Sequence, residues 1–212
     1  MYKSIFFILL TTLLHTAYAE LSCASFFSSH MVIQRETKAP IWGKAKPNEK
    51  ISLNASWGAK GKTVANAKGE WKVYLKTPKA GGPYTIDIKG TSSTIQLNDV
   101  MSGDVWFCSG QSNMQTTVGR YYSSKRVQEE AAKTKLRLFN TSLISSFEDK
   151  SDVEGQWTLS EEQKVKSFSA TAFFFGKMLE EKLNVPIGLI VSAWGGRKIE
   201  CFIPWKLSLI HI

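Results

Sequence analysis

Between residues 31 and 97 apolar and polar residues alternate in short runs separated by turn formers, the signature of half-buried strands. The clearest runs are residues 41–43, 51–57, 71–75 and 85–89. In the last of these, Ile86 and Ile88 are expected to point inward while Thr85, Asp87 and Lys89 face water. Turns are expected at Lys46-Pro47-Asn48, at Lys68-Gly69-Glu70 and over residues 80–83. A small β-sandwich over residues 20–98 is the simplest architecture for this pattern. After Asn98 the texture changes to alternating strand and helix, which predicts an α/β unit over residues 99–206 with a parallel sheet and covering helices. Its strands are expected at 105–108, 136–139 and 187–192. A helix is expected over 168–183, where Phe168, Ala172, Phe175, Leu179 and Leu183 make a core stripe and Lys177, Glu180, Glu181 and Lys182 supply the wet side.

The first 19 residues stand apart. Lys3 precedes an apolar run over residues 5–14, and Ala17-Tyr18-Ala19 forms an A-x-A cleavage pattern, so a signal peptide ending there is expected, with Glu20 opening the mature chain. The run is shorter than the roughly 20 residues of a membrane helix, and no later stretch reaches that length. A secretory route to the extracellular space or the lysosome follows. The sequons Asn54-Ala55-Ser56 and Asn140-Thr141-Ser142 agree with it.

Charge changes the picture only in the first half. Residues 20–98 hold 12 lysines and arginines against 5 acids, and residues 99–212 hold 14 against 13. Lys72 and Lys76 alternate with Trp71, Val73 and Leu75, as the solvated face of a strand does, and no basic run interleaved with aromatic residues points to nucleic acid. Three cysteines, Cys23, Cys108 and Cys201, permit at most one internal disulfide, which excludes a disulfide scaffold. Cys108 is expected to be a small buried hydrophobe. The scattered cysteines and the histidines His15, His30 and His211 do not make a metal site, and no cofactor motif is present.

Candidate chemistry is concentrated in residues 103–115, G-D-V-W-F-C-S-G-Q-S-N-M-Q. The apolar run 105–108 reads as a buried strand, Ser109-Gly110 breaks it, and Ser112 leads a helix. A serine so placed exposes its hydroxyl above the sheet edge, and the unpaired N–H groups at 112 and 113 can face a developing oxyanion. The alternative is that Ser112 is a helix cap. The stretch is not the G-x-S-x-G elbow of α/β-hydrolases, since Met114 stands at the second glycine. Downstream, Trp194-Gly195-Gly196 follows a strand, and its glycines permit close backbone approach to a ligand or make a tight turn.

S-G-Q-S-N-M after a G-D-V-W strand resembles the nucleophile block of the sialate O-acetylesterases, a branch of the SGNH (GDSL-like) hydrolases. Residues 28–43 (S-S-H-M-V-I-Q-R-E-T-K-A-P-I-W-G), 80–84 (A-G-G-P-Y) and 186–200 (P-I-G-L-I-V-S-A-W-G-G-R-K-I-E) are similar to further family segments. The resemblance implies a flavodoxin-like sheet of about five strands, incomplete here, and removal of O-acetyl groups from sialic acid or another acetylated glycan. It implies Ser112 as nucleophile, Gly195 and Gly196 with the Ser112 N–H as oxyanion donors, and Gln111 and Asn113 as orienting or substrate-binding amides. Glu200, beside Lys198, is read as a salt-bridged surface group rather than a catalytic acid. Family members carry threonine where this chain has Arg197, and a late Asp-x-x-His whose histidine is the general base. That pair is not present, and residues 207–212 match nothing in the family. His30 sits in a structural motif, and His211 has no aspartate at the required spacing. The expectation is therefore the N-terminal part of a longer esterase, with little turnover by the 212 residues alone. A secreted, non-catalytic glycan-binding pseudoenzyme is the alternative, resting on the absent base and the basic first half.

Overall fold

The computed structural model describes residues 20–121, 123–146 and 150–203. The expected signal peptide, the tail 207–212, His15 and His211 lie outside the described residues. Seven strands come first: β1 (Ser22–Cys23), β2 (Val32–Gln34), β3 (Lys38–Lys44), β4 (Lys50–Ala55), β5 (Lys60–Val64), β6 (Glu70–Lys76) and β7 (Gly81–Lys89). The expected strands at 41–43, 51–57, 71–75 and 85–89 lie within or overlap β3, β4, β6 and β7. Ile86 and Ile88 are fully buried, as their alternation requires. The turn expected at 80–83 instead forms the irregular opening of β7, where the register with the next strand shifts between Gly81, Tyr84 and Ile86.

That next strand, β8 (Thr94–Gly110), is 17 residues long. Its first part pairs antiparallel with β7 and parallel with β2, and its last part pairs parallel with β11 (Ile187–Ala193). The change of texture expected at residue 98 therefore falls inside one continuous strand, with no loop between the halves. After β8 come α1 (Ser112–Gln115), α2 (Ser124–Ala131), β9 (Arg137–Asn140), β10 (Trp157–Leu159), α3 (Glu162–Lys166) and α4 (Ala170–Leu183). The strand order is β10-β9-β11-β8-β7-β4-β5, with β1-β3-β6 forming a second sheet. The expected parallel sheet is corrected to a mixed one: β9, β11 and β8 run parallel as read, but β10 joins β9 antiparallel.

Two cores flank this sheet. Leu138, Leu189, Val191 and Cys108 pack under Val127, Ala131, Val165 and Phe173 from the helices. On the opposite face Phe139 and Trp157 join the core shared by the two β-rich sheets, which includes Ile41, Val73, Leu53 and Ile86. Phe26 stacks on Phe139 at 5.1 Å, and the Trp157 indole N–H donates to the Phe26 carbonyl at 2.8 Å, tying the halves together. All three cysteines are free thiols; burial pushes Cys23 up to about 12 and also raises Cys108.

Candidate active site

The site is built at the C-terminal ends of β8 and β11, where the two strands lie side by side with Ala193 opposite Gly110. Open α/β sheets collect ligands at this edge because loops and helix starts converge there. Gly110 ends β8, and Ser112 is the first residue of α1, with Gln111 at the cap position. The capping alternative does not hold, since the cap residue is Gln111 and no side chain caps α1. Ser112 is exposed, and its hydroxyl has no hydrogen-bond partner among the described residues. The turn is held by its backbone: the Gln115 N–H donates to the Gln111 carbonyl at 2.9 Å and the Thr116 N–H to the Ser112 carbonyl at 2.8 Å. The Thr116 hydroxyl donates to that same carbonyl at 2.8 Å.

The 194–197 turn closes against this helix start. The Trp194 N–H donates to the Gly110 carbonyl at 3.0 Å, and the Gln111 amide nitrogen donates to the Arg197 carbonyl. A Cβ on Gly195 would stand 2.9 Å from Gln115 Oε1 and in ordinary contact, at 3.4 Å, with Cα and Cβ of Ser112, so a side chain here would have to displace Gln115. Gly196 has φ +74, and its side faces open space. The structure thus brings together Ser112, Gln111, Gly195 and Gly196, read separately from sequence. The Gly195 N–H, expected as an oxyanion donor, is already given to Gln115 Oε1 at 2.8 Å. Asn113 is exposed, and its carbonyl accepts from the Thr171 hydroxyl at 3.0 Å, which fastens α1 to α4.

Sequence reasoning missed Gln115. It is the last residue of the S-N-M-Q helix, one turn from the cap, and that spacing was the available signal. Glu200 is exposed in the short 3₁₀ turn Ile199–Phe202 and forms no ion pair with Lys198 among the described residues, against the expected salt bridge. Of the histidines only His30 is described. Its Nδ1 lies 2.7 Å from Asp99, whose other oxygen accepts from Arg137 Nη2 at 3.0 Å. At roughly 3.3 Å per residue, Asp99 is about 36 Å along β8 from the start of the serine turn. His30 is therefore a structural residue, and no described histidine can take the Ser112 proton.

The match to known proteins covers this edge of the sheet. Residues 102–208 fit the family described as carbohydrate esterase, sialic acid-specific acetylesterase. The chain belongs to that family. It is 35% identical over 196 residues to sialate O-acetylesterase from Mus musculus, covering 84% of this chain and 36% of the relative. The human sialate O-acetylesterase is 34% identical over 198 residues, covering 84% and 38%. A crystal structure described as a novel carbohydrate acetylesterase from Xanthomonas citri superposes with a TM-score of 0.84 at 31% identity, covering 90% of this chain and 44% of that one. The chain thus spans well under half the length of these sialate O-acetylesterases.

The matched segment contains both the Ser112 and the Gly195-Gly196 turns. A cavity of about 360 Å³ opens beside them, lined by Ser142 and Leu143 after β9, Ser192 and Trp194 from the end of β11, and Arg197 and Phe202. The Arg197 guanidinium lies 3.9 Å from the Trp194 ring centre, a cation–π arrangement that fixes a positive charge in the cavity wall.

Proposed function

We propose that this chain carries the nucleophile of a serine-dependent acetylesterase acting on O-acetylated sialic acid or a related acetylated sugar. The observation that carries this reading is the seating of an exposed, unpartnered serine hydroxyl against the Gly195 backbone at the carboxyl edge of the sheet. Ser112 Oγ attacks the acetyl carbonyl, the carbonyl oxygen becomes an oxyanion, and its collapse expels the sugar hydroxyl and leaves an acetyl group on Ser112. Water then releases acetate. The Ser112 and Gly196 N–H groups, neither with a partner among the described residues, and the Asn113 side-chain amide are the oxyanion donors of this scheme. Gln111 orients the turn through Arg197. The Arg197 charge suits the carboxylate of an acidic sugar.

The proton on Ser112 needs a base from outside the described residues. Without one, a serine loses orders of magnitude in rate, so these 212 residues are expected to turn over little alone. Added imidazole is a small general base, and acetate release from 9-O-acetyl sialic acid should rise with its concentration and vanish in Ser112→Ala. Imidazole-dependent release that is equal in Ser112→Ala would remove Ser112 from the mechanism. The secretory route and a β-sandwich over residues 20–98 complete the proposal. They are supported by exposed Asn54 and Asn140 in the two sequons and by the apolar core that the two β-rich sheets share.

A further inference from the structure

The outward face of the β1-β3-β6 sheet is unlike an ordinary wet face. Strand β3 turns Lys38, Pro40, Trp42 and Lys44 to that side, and β6 turns Glu70, Lys72, Tyr74 and Lys76, while Ala39, Ile41, Val73 and Leu75 point into the core. The antiparallel register sets Lys38 opposite Lys76, Pro40 opposite Tyr74, Trp42 opposite Lys72 and Lys44 opposite Glu70. Four lysines therefore meet one carboxylate around two aromatic rings. The carboxylate is neutralised locally, because Glu70 accepts from Lys44 at 3.0 Å and from Asn66 at 3.1 Å. Lys72 stands between the rings, its ammonium 5.9 Å from the Trp42 centre and 5.6 Å from the Tyr74 centre, and has no carboxylate partner among the described residues.

Tyr74 is 57% exposed, so its ring face is open to a ligand. Trp42 is held in place, its indole N–H donating to the Ser151 carbonyl at 2.9 Å and its ring meeting Phe27 edge-on at 4.6 Å. It forms one wall of a cavity of about 580 Å³, which Lys44, Lys72, Lys150 and Asp152 also line. Asp152 is occupied by the Ser25 N–H and hydroxyl, at 2.8 and 3.2 Å. Glu70 lines the cavity too, so its three lysines face two carboxylates and leave a single net positive charge.

We propose that this face binds an acidic glycan, its sugar rings lying on Trp42 and Tyr74 and its carboxylates meeting Lys72 and the flanking lysines. Flat rings offer apolar area with little entropy loss, and lysines supply point charges that accept carboxylates without fixed geometry. No arginine lies on the face, so the guanidinium stacking on bases that single-stranded nucleic-acid grooves use has no counterpart here; this favours a carboxylate-bearing sugar over nucleic acid. The face belongs to the sheet that does not contain Ser112, so the inference does not rest on the esterase reading.

The test is titration of the full chain with α2,8-linked polysialic acid, with neutral dextran, polyglutamate and a single-stranded oligonucleotide as controls. Polysialic acid is expected to bind more tightly than all three controls. The exposed changes Tyr74→Ser and Lys72→Glu should each weaken it at least tenfold, with circular dichroism unchanged, and Lys76→Glu, further from the rings, should weaken it less. Ser112→Ala should bind as the parent does, which separates failure here from failure of the esterase reading. Absence of binding, equal binding to the controls, or indifference to Tyr74→Ser overturns the proposal.

Discussion

At the scale of single residues, the candidate site depends on groups that do no chemistry themselves. Gln115 accepts the Gly195 N–H and so pins the second turn against the first. Gln115→Glu keeps an acceptor there, whereas Gln115→Leu leaves the part-buried N–H without it, at a cost of about 1 kcal/mol. Leucine is therefore expected to loosen the 194–197 turn, measurable as faster amide exchange at Gly195 and Gly196, and the Glu variant should not. Arg197 offers a sharper test of substrate class. Arg197→Thr removes the fixed charge stacked on Trp194, and loss of a hydrogen bond to a charged partner is worth roughly 1.5–3 kcal/mol. Binding of free sialic acid at the Ser112 end should fall about tenfold or more in saturation-transfer NMR, while a neutral acetylated sugar should be unaffected. Equal loss for both sugars would assign Arg197 to turn structure instead.

Elements differ in how plainly the sequence announces them, and the reasons are physical. Strand β6 and strand β11 were legible because Trp71, Val73 and Leu75 alternate cleanly and because 187–191 is a buried apolar run. Strand β5, K-G-K-T-V, was not, since it pairs only with β4 at a sheet edge and buries no residue fully. Helix α4 begins at Ala170 rather than Phe168 because Ser169 caps it, accepting the Ala172 N–H at 3.2 Å while itself buried. Ser169→Ala should cost about 1 kcal/mol of stability, read as a shift in the denaturation midpoint. Ser112 was legible through its strand-break-helix context, but Gln115 was not, because the contact it makes spans 80 residues of sequence. The loop over residues 90–91 adds a pH dependence. Buried Glu49 accepts the Thr91 N–H at 2.8 Å and the Lys46 N–H at 3.1 Å, and these bonds, Thr91 first, hold its carboxyl below the usual range. A lowered carboxylate pKa stabilises the fold above the unfolded value of about 4.3, and that stability is lost as pH falls through the folded value. Glu49→Gln should therefore flatten the acid limb of a stability-versus-pH profile below about pH 5.

For the whole molecule, the decisive fact is that the halves share one strand and one core. Phe139 and Trp157 from the α/β half lie in the same apolar cluster as Ile41, Leu53 and Ile86. A single unfolding transition is expected, with the tryptophan fluorescence and far-ultraviolet dichroism curves superimposing. Two separated transitions would show that the halves unfold independently. The same strand leaves one edge uncovered among the described residues: beyond Gly103, β8 pairs with β11 alone, and Phe107 there is 66% exposed. Such an edge invites pairing with another strand. Phe107→Lys should reduce self-association in sedimentation velocity without shifting the unfolding midpoint by more than about 0.5 kcal/mol equivalent.

Strand β8 also works as a ruler. Its zero mark is set among the first strands of the chain, where β7 and β2 grip residues 94–103, and its far end leads into the serine turn. Side chains alternate faces along a strand, so a slip of one residue at the gripped end would turn every later side chain to the opposite face. The height and facing of Ser112 against Gly195 are thus measured off from strands that lie outside the candidate site. A deletion near Gln96 would reach Ser112 as a change of aim.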